Sequence, residues 1–131
     1  MSVDDHPFWL KEQLGFTIER EAGRAVAVLD CDDRHLNPHG AVHGAIIFAL
    51  IDTAMGAATM DALDDRSWCA TIEIHTRFLE AVFGGHLRAE ATVLKAGRRV
   101  VHLAATVTDG DGRPVATASG SFAVIPRPSD S

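Results

Sequence analysis

A single carboxylate within a long apolar segment is the feature of this sequence best suited to chemistry. Asp52 lies in the run AIIFALIDTAMGAA, residues 45 to 58, where almost every other side chain is apolar. A carboxylate removed from water must be hydrogen-bonded or open to a cleft, and such groups are concentrated at functional sites. Asp52 therefore has two interpretations, either a catalytic group or a structural side chain bonded to nearby backbone.

The dipeptide His43-Gly44 precedes this segment and is the second candidate. If the segment is a helix, the pair stands at its N-terminus, where free N–H groups and the helix dipole would polarise a carbonyl oxygen. Glycine would also let a ligand approach the backbone closely. Each residue alone has a simpler explanation: Gly44 as a packing contact, and His43 as a capping or core histidine.

The spacing between these candidates indicates how they could act together. Asp52 follows Gly44 by eight residues, a rise of roughly 12 Å along a helix. A donor and a base that act on one carbonyl must each lie about 3 Å from the reacting atoms. If both groups are catalytic, the spacing predicts a site at a dimer interface, with Asp52 from one protomer and the helix N-terminus from its partner.

Two further clusters of polar residues could bind ligands. His35, His39 and His43 are spaced by four, which on a helix would align metal ligands, but Pro38 and Gly40 interrupt the segment. We therefore expect no metal site there. A second cluster surrounds the turn at Gly97 and consists of Lys95, Arg98 and Arg99. It is either a solvated hairpin tip or a site for a phosphorylated ligand.

Local patterns predict the elements that position these residues. Pro7 and Gly15 bracket a short N-terminal helix, expected to pack as a lid, and Ala22-Gly23 separates two strands at 16–21 and 24–30. The segment 42–63 is apolar on every face, which predicts a helix buried all round. Alternating residues and turns predict four more strands, at 68–79, 86–96, 98–109 and 114–125.

These elements predict one α+β domain over residues 1–131, in which an antiparallel sheet wraps around a single long helix. We expect disorder at about 1–6 and 126–131. A homodimer that extends the sheet would cover the exposed edges. The aromatic side chains expected to line a pocket or fill the core are Phe8, Trp9, Phe48, Trp68 and Phe78.

Composition excludes several classes of function. The net charge of -6 offers no general basic surface for nucleic acid or an anionic membrane. Two cysteines and an acidic N-terminus without a signal pattern favour the cytoplasm. A charge at Asp52 disfavours a membrane span for the apolar segment. No G-x-S-x-G, phosphate-loop, dinucleotide-binding or CxxC motif is present.

The motif formed by Asn37, Gly40, His43-Gly44 and Asp52 resembles that of the hotdog-fold acyl-CoA thioesterases, specifically the phenylacetate-pathway thioesterase-like group. The segments TIEIHTRFLEA at 71–81, VLKAGRR at 93–99 and DGDGRPVATASGSF at 109–122 are also similar to that group. The resemblance covers nearly the whole chain. It implies the hotdog fold and a tetramer built from two dimers, arranged either tail to tail or back to back.

The resemblance also implies roles for individual residues. Asp52 would be the nucleophile or the general base that activates water, and the Gly44 N–H would polarise the thioester carbonyl. His43 and Asn37 would orient the acyl group or water, and Thr71 would help to position water. The three basic residues at the Gly97 turn would meet the phosphates of coenzyme A.

The residues and the resemblance together lead to one expected activity and one rival. The expected activity is hydrolysis of an acyl-CoA or aryl-CoA thioester, without a metal or an organic cofactor, since CoA is part of the substrate. The rival is a non-catalytic module of the same fold that binds acyl-CoA and signals its presence. A dehydratase of the broader fold is a weaker third possibility.

Overall fold

A computed structural model describes residues 6–128 of the chain. Its elements are α1 Trp9–Leu14, β1 Thr17–Glu21, β2 Arg24–Cys31, α2 Gly44–Ala62, β3 Ser67–Phe78, β4 Gly85–Ala96, β5 Val100–Thr108 and β6 Pro114–Pro126, with a short 3-10 helix at Asp33–His35. All paired strands are antiparallel, in the order β1-β2-β4-β5-β6-β3. The predicted α+β architecture, one sheet around one long helix, is confirmed.

The two ends of the chain were expected to be disordered. Residues 1–5 and 129–131 lie outside the described residues. Pro126 is the last residue of β6, and the Arg127 N–H donates to the Arg66 carbonyl over 2.9 Å.

Turn residues fix the first hairpin and the first helix where the sequence predicts them. Ala22 and Gly23 both have positive φ, 47° and 75°, which is the backbone of a two-residue type I′ turn. Gly15 ends α1 in the left-handed conformation, with φ 86°. Helix α1 contains no fully buried residue, and Phe8 just before it packs edge-on against Phe16, with ring centroids 5.7 Å apart.

Helix α2 is the core of the domain, but it is not buried all round. Its buried side chains lie against the sheet: Ile47, Leu50, Ile51, Ala54, Met55, Ala58 and Thr59. Phe48 is 40% exposed and Ala45 is also exposed, so complete burial of α2 stays a prediction for the expected homodimer. The exposure is geometric in origin, because one curved sheet covers only part of a helix surface. By length and composition α2 could cross a membrane, yet its packing against the sheet is that of a core helix.

A close approach of helix and sheet requires glycine at one position. A Cβ atom on Gly120 would lie 2.7 Å from Met55 Sδ and 3.3 Å from the Glu73 carbonyl oxygen. These distances are shorter than ordinary van der Waals contact, so a side chain at Gly120 would force the buried Met55 side chain or β6 itself to shift.

The two outer strands of the sheet are β1 and β3. Strand β3 is 12 residues long, and its outer edge has no partner strand within residues 6–128. Ile72 and Phe78, both on β3, are each 54% exposed. A long apolar edge of this kind invites pairing with another strand.

The loop before α2 is held by a buried histidine. His35 is fully buried, its Nδ1 accepts from the Asp32 N–H over 2.9 Å, and its Nε2 lies 2.8 Å from the Leu14 carbonyl oxygen. The carbonyl can only accept, so Nε2 carries the proton. His35 lies in the 3-10 helix and His43 caps α2, so the spacing of four does not place them on one helix. Within the described residues, no cluster of His, Cys, Asp and Glu could hold a metal ion.

Candidate active site

Asp52 and Thr71 are in direct contact. Thr71 Oγ1 donates a hydrogen bond to Asp52 Oδ1 over 2.7 Å, which joins the middle of α2 to the edge strand β3. Asp52 is half-buried. Its second oxygen, Oδ2, has no hydrogen-bond partner in the part of the chain that the structure describes. That oxygen is free to contact a ligand.

A bulge in β3 follows Thr71. Thr71 pairs with Phe122 and Glu73 pairs with Ser121, so Ile72 is an extra residue on β3. Bulges leave one residue unpaired and bend the strand, and they are frequent beside active sites. The bulge therefore helps to set the position of Thr71 relative to α2.

Asp52 and Thr71 line a cavity of about 710 Å³ between α2 and the two edge strands. This volume is within the range of small-molecule binding sites. The walls are mainly apolar and include Ile18 from β1, Gly56 and Met60 from α2, Trp68 from β3 and Phe122 from β6. The cavity is therefore suited to an acyl or aryl group whose reactive end lies near Asp52.

The five aromatic side chains considered for pocket lining separate into two groups. Phe8 and Trp68 line the cavity. Trp9, Phe48 and Phe78 do not line it and are 58%, 40% and 54% exposed. These three apolar side chains are left uncovered by the single chain.

At the N-terminus of α2, one backbone donor has no partner in the described part of the chain. His43 caps the helix, because its Nδ1 accepts from the Ala45 N–H over 2.9 Å, and its carbonyl accepts from the Ile46 N–H. The Gly44 N–H has no acceptor among residues 6–128. His43 thus satisfies the neighbouring donor and leaves the Gly44 N–H for an external acceptor.

Packing within the chain does not require glycine at position 44. A Cβ atom there would lie 3.4 Å and 3.5 Å from atoms of the Phe78 ring, which are ordinary contacts. The simpler interpretation of Gly44 as a tight packing contact is therefore not supported by the surroundings of this residue.

Asn37 builds the loop before α2. Its Oδ1 accepts from the His39 N–H over 2.9 Å and from the Ala41 N–H over 3.1 Å. Its own N–H donates to the Ala41 carbonyl over 2.7 Å. The carboxamide oxygen is thus committed to the loop, and the amide NH₂ is the part of this side chain that a ligand could use.

The predicted site residues form separate groups in the single chain. Asp52 and Thr71 line the cavity, whereas Asn37, His43 and Gly44 do not. Because α2 is continuous from Gly44 to Ala62, the eight residues between Gly44 and Asp52 correspond to roughly 12 Å.

The basic cluster forms a third group. Lys95, Arg98 and Arg99 are exposed at the β4–β5 turn and lie outside the cavity. None of the three forms an ion pair within the described residues.

Among the cavity residues that the sequence did not single out, Cys69 and Arg20 carry a reactive or charged side chain. Burial, together with the nearby charge of Asp52, raises the pKa of the Cys69 thiol. The thiol is therefore protonated at neutral pH and is a poor nucleophile. Arg20 belongs to the short strand TIERE, which has no apolar face strong enough to show which side chains point inward.

Comparison with known proteins shows the family of this chain. Residues 39–116 match the family model described as thioesterase superfamily. ComA2 of Bacillus subtilis, which is named as an inferred esterase, is 32% identical over 118 residues, covering 88% of this chain and 94% of ComA2.

Solved structures share the fold. One, from Ralstonia eutropha, is named as an inferred thioesterase related to phenylacetic acid degradation. It has a TM-score of 0.82 at 26% identity and covers 92% of this chain and 93% of its own. The PaaI protein of the E. coli phenylacetic acid degradation operon has a TM-score of 0.83 at 24% identity, with coverages of 93% and 86%. The match over residues 39–116 spans more than half of the sequence, and this chain belongs to the thioesterase superfamily.

Proposed function

We propose that this thioesterase hydrolyses an acyl-CoA or aryl-CoA thioester to the free acid and CoA, with Asp52 as the catalytic carboxylate. The observation that carries the proposal is the Thr71–Asp52 hydrogen bond at the wall of a largely apolar cavity. The bond holds Oδ1 and leaves Oδ2 free to face the thioester carbon or a water molecule. The apolar walls would bind the acyl group.

Two chemical routes are compatible with this arrangement. In the first, Asp52 Oδ2 attacks the carbonyl carbon, the C–S bond breaks, and CoA leaves as the thiolate. Water then hydrolyses the resulting mixed anhydride and restores the carboxylate. In the second, Asp52 takes a proton from water as the water attacks, and that proton passes to the departing sulfur. Either route develops negative charge on the carbonyl oxygen, which a backbone N–H would stabilise.

The donor for that oxygen would come from the partner protomer. The Gly44 N–H has no acceptor among residues 6–128 and lies roughly 12 Å along the helix from Asp52. The exposed side of α2 at Phe48 and the apolar edge of β3 at Ile72 provide surfaces for a second copy. We infer a homodimer in which each site combines Asp52 and Thr71 of one chain with the Gly44 N–H of the other.

The remaining roles depend on the same assembly. The NH₂ group of Asn37 and the ring of His43 would orient the acyl group or water. Lys95, Arg98 and Arg99 would bind the CoA phosphates, because they are exposed and have no partner carboxylate within residues 6–128. We further infer a dimer of dimers and a cytoplasmic location. The reaction as written needs no metal or organic cofactor.

Release of free thiol from short, medium, long and aromatic acyl-CoAs tests the proposed reaction. We expect turnover of at least one class, and kcat for Asp52→Asn reduced by about 10³-fold or more, with an unchanged circular dichroism spectrum. Near-normal activity of a correctly folded Asp52→Asn variant would remove Asp52 from the mechanism. Tight binding of acyl-CoA without turnover by the wild-type protein would instead favour the binding-module alternative.

A further inference from the structure

An arginine side chain on an edge strand has no partner within the described residues. Arg20 of β1 lines the same cavity as Asp52 and is exposed, and its side chain forms no ion pair or hydrogen bond with any residue from 6 to 128. Arg24, in the same hairpin but outside this cavity, is paired with Glu90. Arg20 and Asp52 are the two charged side chains among the described residues that line the cavity.

The neighbours of Arg20 place it toward the C-terminal end of α2, away from Asp52. Together with Met60 and Trp68, Arg20 also borders a second hollow of about 330 Å³ beyond the first cavity. Met60 follows Asp52 by eight residues on α2, which corresponds to roughly 12 Å. The wall between the two ends is mainly apolar. A ligand that fills the cavity would thus have its reactive group near Asp52 and its far end near Arg20.

The chemistry of the guanidinium group identifies the ligand class. Arginine offers five N–H donors in a planar fork and no acceptor, and it binds carboxylates through two parallel hydrogen bonds. We propose that Arg20 binds a carboxylate at the far end of the acyl group, so that the enzyme prefers thioesters of dicarboxylic acids to those of monocarboxylic acids of equal length. This inference rests on the proposed function.

Carboxylates near Arg20 limit the size of the expected preference. Asp61, Asp64 and Asp65 border the second hollow, on the far side of Met60. Asp61 accepts from the Gly23 N–H, and Asp64 accepts from the Arg66 N–H, each over 2.9 Å. Their negative charge opposes the attraction of Arg20 for an anion. We therefore expect a preference of about tenfold, at the lower end of what a charge-assisted hydrogen bond provides.

A structural role for Arg20 makes a different prediction. An inward-facing charge on an edge strand hinders unwanted strand pairing. If Arg20 acts only in this way, Arg20→Gln would change the association state of the protein and leave the relative rates for different substrates unchanged.

The test compares octanoyl-CoA with suberyl-CoA, its counterpart with a carboxylate at the far end. The proteins are the wild type, Arg20→Gln, and Arg24→Gln as the matched loss of one arginine outside the cavity. We expect the ratio of kcat/KM for suberyl-CoA to that for octanoyl-CoA to fall by about tenfold in Arg20→Gln. The ratio should stay at its wild-type value in Arg24→Gln. An unchanged ratio in Arg20→Gln, with octanoyl-CoA still hydrolysed, would overturn the assignment of Arg20.

A binding measurement separates this inference from the proposed function. Calorimetry would measure the affinities of both thioesters for Asp52→Asn and for Asp52→Asn/Arg20→Gln. Suberyl-CoA should bind Asp52→Asn about tenfold more tightly than it binds the double variant, with little change for octanoyl-CoA. If the wild-type protein hydrolyses no acyl-CoA of the panel, this difference in affinity would support Arg20 as a binding residue while the proposed function would be refuted. Equal affinities of suberyl-CoA for the two variants would refute the role of Arg20.

Discussion

Replacing Gly44 by proline would remove the proposed oxyanion donor and little else. Gly44 is the first residue of α2, a position where proline is well tolerated because the first N–H has no partner within the helix. The preceding residue, His43, has φ -62° and ψ 135°, the extended conformation that a residue before proline prefers. Gly44→Pro should therefore fold like the wild type while lacking the N–H at position 44.

Gly44→Ala is the matched control. It keeps the N–H and adds one Cβ atom, which would make ordinary contacts with the Phe78 ring at 3.4 and 3.5 Å. Loss of one oxyanion donor costs about 2.7–4 kcal/mol of transition-state stabilisation, so kcat for Gly44→Pro should fall by about 10²–10³-fold. We expect kcat for Gly44→Ala to stay within about tenfold of the wild type.

The assay is thiol release at saturating acyl-CoA, accompanied by thermal unfolding of each variant. The decisive quantity is the ratio of kcat for Gly44→Ala to kcat for Gly44→Pro. Both variants add side-chain atoms at position 44, but only the proline variant lacks the N–H. Equal kcat values for the two variants, with proline correctly folded, would refute the role of the Gly44 N–H.

Three further predictions concern the cavity and its support. Thr71→Val should lower kcat by about tenfold or more, whereas Thr71→Ser should retain most of the wild-type kcat, because only the hydroxyl holds Asp52. Steady-state kinetics would measure both variants, and a wild-type kcat for Thr71→Val would contradict this role. Gly120→Ala should lower the free energy of unfolding by about 1–3 kcal/mol, because its Cβ would overlap Met55, and an unchanged urea midpoint would contradict this. Since burial and the charge of Asp52 raise the pKa of the Cys69 thiol, alkylation of Cys69 at pH 8 should be slow in the wild type and faster in Asp52→Asn. Peptide mapping by mass spectrometry would measure both rates, and slower alkylation in Asp52→Asn would contradict the prediction.

Local patterns were sufficient to predict the elements of the fold. Turn residues such as Gly15 and Ala22-Gly23 act through their own backbone conformation, so the limits of α1 and of the first hairpin are visible in the sequence. Alternating apolar and polar side chains predicted the strands, because successive side chains of a strand point to opposite faces of the sheet. Which side of α2 the sheet leaves exposed could not be predicted, because a helix that is apolar on every face has the same sequence pattern whether its own sheet or another chain covers each side.

The candidate site was predictable only in part. Asp52 was conspicuous because a charge is rare in an apolar segment, and Gly44 because of its place before that segment. The contact of Thr71 with Asp52 depends on the bulge at Ile72 and on the path of β3 past α2. Such long-range geometry is not encoded in a local pattern. Arg20 was missed because its strand is too short and too polar to reveal an inner face.

The two-chain site is the central claim, and mixing two inactive variants tests it most directly. Asp52→Asn retains the Gly44 N–H, whereas Gly44→Pro retains the carboxylate. The two proteins would be mixed in equal amounts, exchanged under mild denaturant and assayed for thiol release.

If each site combines Asp52 of one chain with Gly44 of its partner, one of the two sites in every mixed dimer is intact. Random exchange should then restore about one quarter of the wild-type activity. If both groups act within one chain, every site carries one defect, and the mixture should stay as inactive as the separate variants. Activity restored to about one quarter is the predicted result, and no gain in dimers shown by mass spectrometry to have exchanged would contradict the account.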